Sequence, residues 1–324
     1  MFLAAPAKSP VLILPELEQK KLEQAHYAID YYAYPEDPSS WKAIFRQGLD
    51  NLNLYGKAIG IEPRQLRLLE YEHLFSAGDT TVHTDASGTI ASLRAVKDPV
   101  EIETMRQAVK IAQKALEDTL PLATVGMSER ELANELVIQL LKQGSEPHLP
   151  FSPIVSSGPN GANPHATPSD WKLAAGELLI VDWGATYKGY TSDLTRTFGI
   201  GEISPRFEHI HTVVQQANQA GRDAGKPGVS CKHVDNAARS VIEAAGYGDM
   251  FTHRTGHGIG MECHEEPYIR GDNEQILLEG MAYTVEPGIY IDGKNGVRIE
   301  DDVVITATGT LSLSDFPREL TVIC

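Results

Sequence analysis

The sequence predicts a mixed α/β (α+β) protein: a small α/β layer over residues 1–95, then a larger domain over residues 96–324 that is duplicated internally. Three observations predict it. Up to about residue 95, short apolar runs alternate with helical stretches, as in a layer of strands and helices. A sharp helix start follows at Asp98-Pro99. A block of helix, turn, helix, strands and acidic hairpin then occurs twice, its second copy about 102 positions after the first. A repeat of that length is a duplicated half-domain rather than a solenoid, whose periods are about 20–50 residues.

The bounds agree with an ordinary globular chain. Its 324 residues suffice for one large domain and a smaller one. A formal charge of −16 without any Lys/Arg-rich run argues against nucleic acid or an anionic membrane as partner. Cys231, Cys263 and Cys324 form no C-x-x-C, so neither a disulfide framework nor a zinc knuckle is expected. The first residues show no basic region followed by a signal-length apolar stretch, and no run approaches the roughly 18 apolar residues of a membrane span. A cytoplasmic setting is the expectation.

Taken in order, residues 11–14 read as a strand, 15–25 as a helix, 41–52 as a helix, 57–61 as a strand and 64–74 as a helix. Pro35 and Pro38 mark a loop. Asp98 suits an N-cap, Pro99 the first helical position, and Glu101 completes a capping box. Ile102, Met105, Val109, Ala112 and Leu116 then recur at helical spacing. Ser128 and Glu131 make a second capping box, opening a helix to about residue 143. Phe207, Ile210, Val214 and Ala217 repeat the first stripe, and a helix over 233–245 repeats the second.

Each helix pair is followed by an acidic hairpin. The run Leu178-Leu179-Ile180-Val181 reads as a buried strand ending on Asp182. A turn centred between Tyr187 and Lys188 brings the chain back to Asp193, directly across from Asp182. A second turn centred on Gly293 sets Glu286 opposite Glu300. Facing residues on antiparallel neighbours have Cβ atoms about 4.5–5.5 Å apart, and like charges there weaken a hairpin. A sequence that builds this conflict twice is best explained by a cation in the gap. The plain alternative is a pair of solvated, turn-proximal acids.

Eleven histidines are present. His253, His257 and His264 fall in a glycine-punctuated stretch that is not a H-E-x-x-H helix, and the glycines would let backbone approach a ligand or metal. His165 lies in a proline-bounded loop. His26, His73, His83, His148, His209, His211 and His233 read as structural or surface residues.

These motifs resemble the Xaa-Pro peptidase branch (prolidase and aminopeptidase P) of the pita-bread dinuclear metallopeptidases, over about residues 96–322. Asp182, Asp193, His257, Glu286 and Glu300 match that family's five metal ligands in order. The resemblance implies a pita-bread catalytic domain and two divalent ions sharing Asp193 and Glu300. Asp182 completes one site, and His257 with Glu286 the other. Oxygen-rich ligation with one imidazole suits Mn²⁺, with Co²⁺, Zn²⁺ or Fe²⁺ as alternatives.

It further implies that Glu286 shuttles a proton, that His264 stabilises the developing oxyanion, and that His165 and His253 position the substrate. Arg298 matches an arginine giving support or substrate contact, with a surface ion pair as the alternative reading. The substrate implied is an Xaa-Pro dipeptide, with an Xaa-Pro aminopeptidase as runner-up. A metal-free creatinase-like hydrolase and a catalytically silent binding protein are the remaining alternatives. Residues 1–95 resemble a shortened creatinase/prolidase-like N-terminal domain, which in relatives helps form a homodimer. Asp37 and Arg46 are candidate gates for substrate length.

Overall fold

The computed structural model describes residues 1–24, 28–78 and 82–324. His26 and the end of the helix expected at 15–25 lie outside the described residues. The chain divides within the helix Ser87–Ala95 into two compact units, Met1–Ala91 and Ser92–Cys324. Among the described residues, no helix is long and apolar enough to cross a membrane.

In the first unit, Phe2–Leu3, Val11–Pro15 and Asp30–Tyr34 form one sheet, and Ala58–Ile61 pairs in parallel with Val82–Asp85. Helix Trp41–Leu52 buries Phe45, Leu49 and Leu52 in a core shared with Val11 and Ile13. Residues Glu16–Gln24 form a 3₁₀ helix rather than an α-helix. Leu17 and Leu22 are that segment's two apolar side chains, too few for a stripe that packs. The helix expected at 64–74 begins later, as Leu68–Gly78, because the Glu62 carbonyl accepts the Gln65 and Leu66 N–H groups and closes a turn first. Asp37 caps Pro38–Ser40 by accepting from Ser39, and Arg46 lies 4.8 Å from the centre of the Tyr55 ring.

The second unit is built twice over. Helices Pro99–Thr119 and Glu129–Lys142 open on the capping boxes Asp98/Glu101 and Ser128/Glu131. Helices Pro205–Ala224 and Cys231–Ala244 are their counterparts. Most buried positions recur 102 residues on. Ala108, Val109, Ala112 and Ala115 in one helix correspond to Ile210, His211, Val214 and Ala217 in the other.

The turns repeat as well. Gly126 at φ 90 donates to the Leu173 carbonyl, and Gly228 at φ 89 donates to the Leu277 carbonyl. A left-handed turn residue favours glycine for want of a Cβ, so both copies keep it.

Two larger sheets follow, the first drawn from the first half and the C-terminal strand, the second from the second half. Ile154–Ser157, Leu178–Trp183, Leu194–Ile200 and Thr321–Ile323 are neighbours in the first. Glu265–Ile269, Gly256–Gly258, Ala282–Val285, Asp301–Ile305 and Thr310–Ser312 are neighbours in the second. Helices Pro99–Thr119 and Glu129–Lys142 pack on the first sheet through a core that includes Trp183, whose indole N–H donates to the Ala112 carbonyl at 2.7 Å.

Candidate metal centre

The first acidic hairpin is real, but its register is one step from the expected one. Asp182 faces Thr195, and Trp183 faces Leu194. The two-residue turn is Lys188-Gly189, with φ 48 and 76. Positive φ at both central positions matches the right-handed twist of the flanking strands. Asp193 therefore sits diagonally from Asp182, two residues along the same face, rather than directly opposite.

The second hairpin keeps its expected register. Gly288 pairs with Arg298 and Ile291 with Asn295 about Gly293 at φ 65, and Val285 pairs with Asp301 beyond. Glu286 and Glu300 occupy the facing positions between those ladders. A bridge between Thr195 and Glu300 joins the two hairpins, with the Glu300 N–H donating to the Thr195 carbonyl at 3.0 Å. Thr195 thus has Asp182 on one side and Glu300 on the other, and this seam gathers the carboxylates.

Donor atoms of Asp182, Asp193 and Glu300 lie within 4.8 Å of one another, as do those of His257, Glu286 and Glu300. A third group within the same distance is Asp193, His257 and His264. His257 Nδ1 donates to the Gly258 carbonyl at 3.1 Å, which leaves Nε2 as a lone pair. That Nε2 stands 3.4 Å from Glu286 Oε1 and 3.6 Å from Asp193 Oδ2. The glycines beside His257 serve the sheet rather than a ligand: a side chain at Gly256 would strike the Thr284 carbonyl, and one at Gly258 the Glu266 carbonyl.

Arg298 is 2% exposed, so it is no surface ion pair. Its Nη2 donates to Asp182 Oδ2 at 2.6 Å, Nη1 to Tyr290 Oη at 2.8 Å and Nε to Thr195 Oγ1 at 3.2 Å. His253 donates from Nδ1 to the Arg254 carbonyl at 2.7 Å and accepts the Tyr290 hydroxyl on Nε2 at 2.8 Å, so both ring nitrogens are occupied. His165, His253, His264 and Arg298 line one cleft of about 720 Å³ together with all five carboxylate and imidazole positions.

Four carboxylates crowd this centre, with Arg298 hydrogen-bonded to Asp182 and Arg254 near enough to act on Glu286. Burial, reinforced by Asp182, Asp302 and Glu286, pushes Asp193 well above the ordinary carboxylate range. Burial with Asp193, Glu286 and Asp182 does the same to Glu300. Burial raises Glu286 to about 7 against the pull of Arg298, and raises Asp182 despite that same arginine. Burial and then His264 hold His257 well below its usual value. Burial, then Arg298, brings His253 down to about 3.

Asp182 Oδ1 and Glu300 Oε1 are buried without a hydrogen-bond partner. Orphaned carboxylate oxygens, repelling one another beside an unprotonated imidazole, are the donor set a divalent cation satisfies. The residues fit the group the resemblance implies.

Four contributors were not read from the sequence. Thr195 donates to Glu300 Oε2 at 2.6 Å. Asp302, buried and raised well above its ordinary range by that burial, accepts the Asp193 N–H at 3.1 Å. Cys263 donates to Asp193 Oδ2 at 3.2 Å. Tyr290 could have been found, because it shares the face of Glu286 by the period-two alternation of a strand. The other three owe their roles to pairings between distant segments.

Comparison with known proteins agrees with this geometry. The model of metallopeptidase family M24 matches residues 103–307. An Xaa-Pro dipeptidase of Lactobacillus delbrueckii subsp. lactis is 35% identical over 315 residues, covering 97% of this chain and 85% of that protein. The crystal structure of a dipeptidase from Pyrococcus horikoshii OT3 superposes with a TM-score of 0.90 at 38% identity, over 97% of this chain and 86% of that one. That of an X-Pro aminopeptidase from Thermotoga maritima MSB8 gives 0.87 at 33%, over 98% and 88%. The chain belongs to metallopeptidase family M24, and its duplicated second unit is that family's pita-bread fold.

Proposed function

We propose that this metallopeptidase hydrolyses the Xaa-Pro bond of dipeptides, using two divalent cations held by Asp182, Asp193, His257, Glu286 and Glu300. The observation that carries the reading is the pair of three-residue donor clusters sharing Glu300 at one seam. Relatives named for Xaa-Pro dipeptides support the substrate class. Mn²⁺ suits four carboxylates and one imidazole, with Co²⁺, Zn²⁺ or Fe²⁺ as alternatives. When bound, such a pair supplies Lewis acidity and lowers the pKa of water.

The chain's own residues do the rest. Glu286 turns Oε1 to His257 and keeps some exposure to the cleft. Its Oε2 carries the proton to the departing proline nitrogen, the general acid–base role open to a carboxylate placed at the reacting bond. His264, exposed at the cleft, donates to the scissile carbonyl oxygen as negative charge develops, worth about 2.7–4 kcal/mol for one donor. His253, with both nitrogens engaged, serves as a fixed wall, and His165 approaches from the facing loop. Arg298 fixes Asp182 and Tyr290. A prolyl amide has no N–H, so the cleft need offer no acceptor there.

Residues 1–95 we read as the prolidase-like N-terminal domain of a cytoplasmic homodimer. Light scattering giving about twice the 35.4 kDa chain mass tests the dimer.

The decisive assay compares Ala-Pro with Ala-Pro-Xaa tripeptides on chelator-stripped protein before and after Mn²⁺. Activity that returns with Mn²⁺ and prefers the dipeptide is the expected result. Tripeptide turnover equal to or above that of the dipeptide would instead favour the aminopeptidase reading, which the Thermotoga maritima likeness keeps open.

A further inference from the structure

Glu129 is the first residue of helix Glu129–Lys142, fully buried and absent from the cleft lining. One carboxylate oxygen accepts the Ser157 N–H at 2.7 Å. The other accepts Asn160 Nδ2 at 2.7 Å, the Ser169 N–H at 2.9 Å and the Ser169 hydroxyl at 2.7 Å. A carboxylate in the first turn also suits the positive end of its helix. These four donors come from both ends of the 157–169 segment, and His165 stands between them. The middle of the segment is held separately, by Arg298 Nη1 donating to the Pro164 carbonyl at 3.1 Å. Within it, Asn163 Oδ1 accepts the His165 N–H at 3.1 Å.

We propose that Glu129 is a positioning residue: by clamping both ends of the 157–169 segment, it sets where the His165 ring stands over the carboxylate centre. Glutamine cannot replace it, because all four partners are donors and an amide NH₂ must face at least one of them. A buried donor left without an acceptor loses its hydrogen bond and keeps its desolvation cost. The segment then loosens, and a displacement of about 1 Å at a site group can cost on the order of 100-fold in rate.

The inference rests on the reading of His165 as a substrate-positioning group, so the experiment has two arms, both on Mn²⁺-loaded full chain. Hydrogen exchange reads the clamp. In Glu129→Gln, the Ser157 and Ser169 amides should exchange at least about 10-fold faster while the helices keep their protection. Unchanged exchange overturns the proposal.

Kinetics on Ala-Pro read the coupling. Glu129→Gln should lower kcat/KM by about 10–100-fold, Glu129→Asp by less, and Glu129→Gln/His165→Ala no further than His165→Ala alone. Losses that multiply show that Glu129 does not act through His165, and the proposal falls while the function stands. If His165→Ala is fully active, the His165 reading itself has failed, and the proposal falls with it.

Discussion

The two halves of the catalytic unit share a scaffold and differ in what they hang on it. The serine cap of the second helix, the left-handed glycine turn before it and most of the buried face recur in both. Apart from the hairpin carboxylates, the buried acids do not. Where the first half places Glu129, the second has the buried Cys231, and its own buried acid, Asp235, lies at the position of Ala133. Asp235 accepts the Thr255 N–H and hydroxyl and pairs with Arg239, whose Nη2 donates to the His253 carbonyl. Each half therefore ties down its histidine-bearing loop with a carboxylate, but from a different turn of the helix. Packing constrains position, whereas a hydrogen-bond role can be met from any nearby position that reaches the donors.

The strongest way to break this comparison is to ask whether both hairpins are needed. Asp182→Asn and Glu286→Gln, counterparts in the two halves, should each lower kcat/KM by more than about 100-fold, because even outer-shell changes cost 10–100-fold. Metal content by mass spectrometry should fall in both. Near-native activity in either variant would leave one hairpin as scaffold only.

Next is the charge network that ties the halves together, from Arg196 on the first half's strand Leu194–Ile200 to Asp301 on the second half's strand Asp301–Ile305. Asp301 is fully buried, and despite that burial Arg196 and Arg318 hold its carboxyl well below the ordinary range. Asp301→Asn leaves buried guanidinium charge short of its partner and should cost about 3–5 kcal/mol, measured by urea unfolding. A loss below 1 kcal/mol would mean that water reaches the arginines.

A smaller effect separates His211 from its apolar counterpart Val109. Burial, with Arg196 adding to it, lowers His211 to about 4, so the folded chain holds it neutral. The unfolded chain takes up the proton from about pH 6.5 downward. Stability present above that pH should therefore drain away as pH falls to about 4, by roughly 3 kcal/mol at most. His211→Val should flatten this limb of a Tm-against-pH profile, and an unchanged slope would assign it to other groups.

The mildest test concerns the turns. Lys188 holds φ 48 where the other hairpin has a glycine. Lys188→Asn should gain under about 1 kcal/mol, seen as a rise of a degree or two in Tm, since asparagine tolerates that region better. A lower Tm would show that Lys188 makes a contact worth more than the strain.

These turns also explain what could be read from the chain. The second hairpin was legible to the residue because the Asp292-Gly293 pair marks its tip. The first slipped by one, because nothing marks Lys188 as left-handed. The five candidate ligands were picked out through their local motifs, and the fold brings them into one cleft; the capping boxes were legible through theirs. Glu129, Thr195 and Asp302 were not: each is an ordinary residue in its neighbourhood and acquires meaning only from partners in distant segments. The helix at Ser87–Ala95 went unread for want of an apolar stripe.

The strand Thr321–Ile323 lies parallel to Leu194–Ile200, with Phe198 paired to Thr321. The sheet of the earlier half is thus completed by residues made some 120 positions after Ile200. At about 5–20 residues per second on the ribosome, that edge stays open for roughly 6–24 s. During synthesis the first hairpin presents an unpaired backbone to any passing extended chain, so this interval is where the nascent protein most needs shielding.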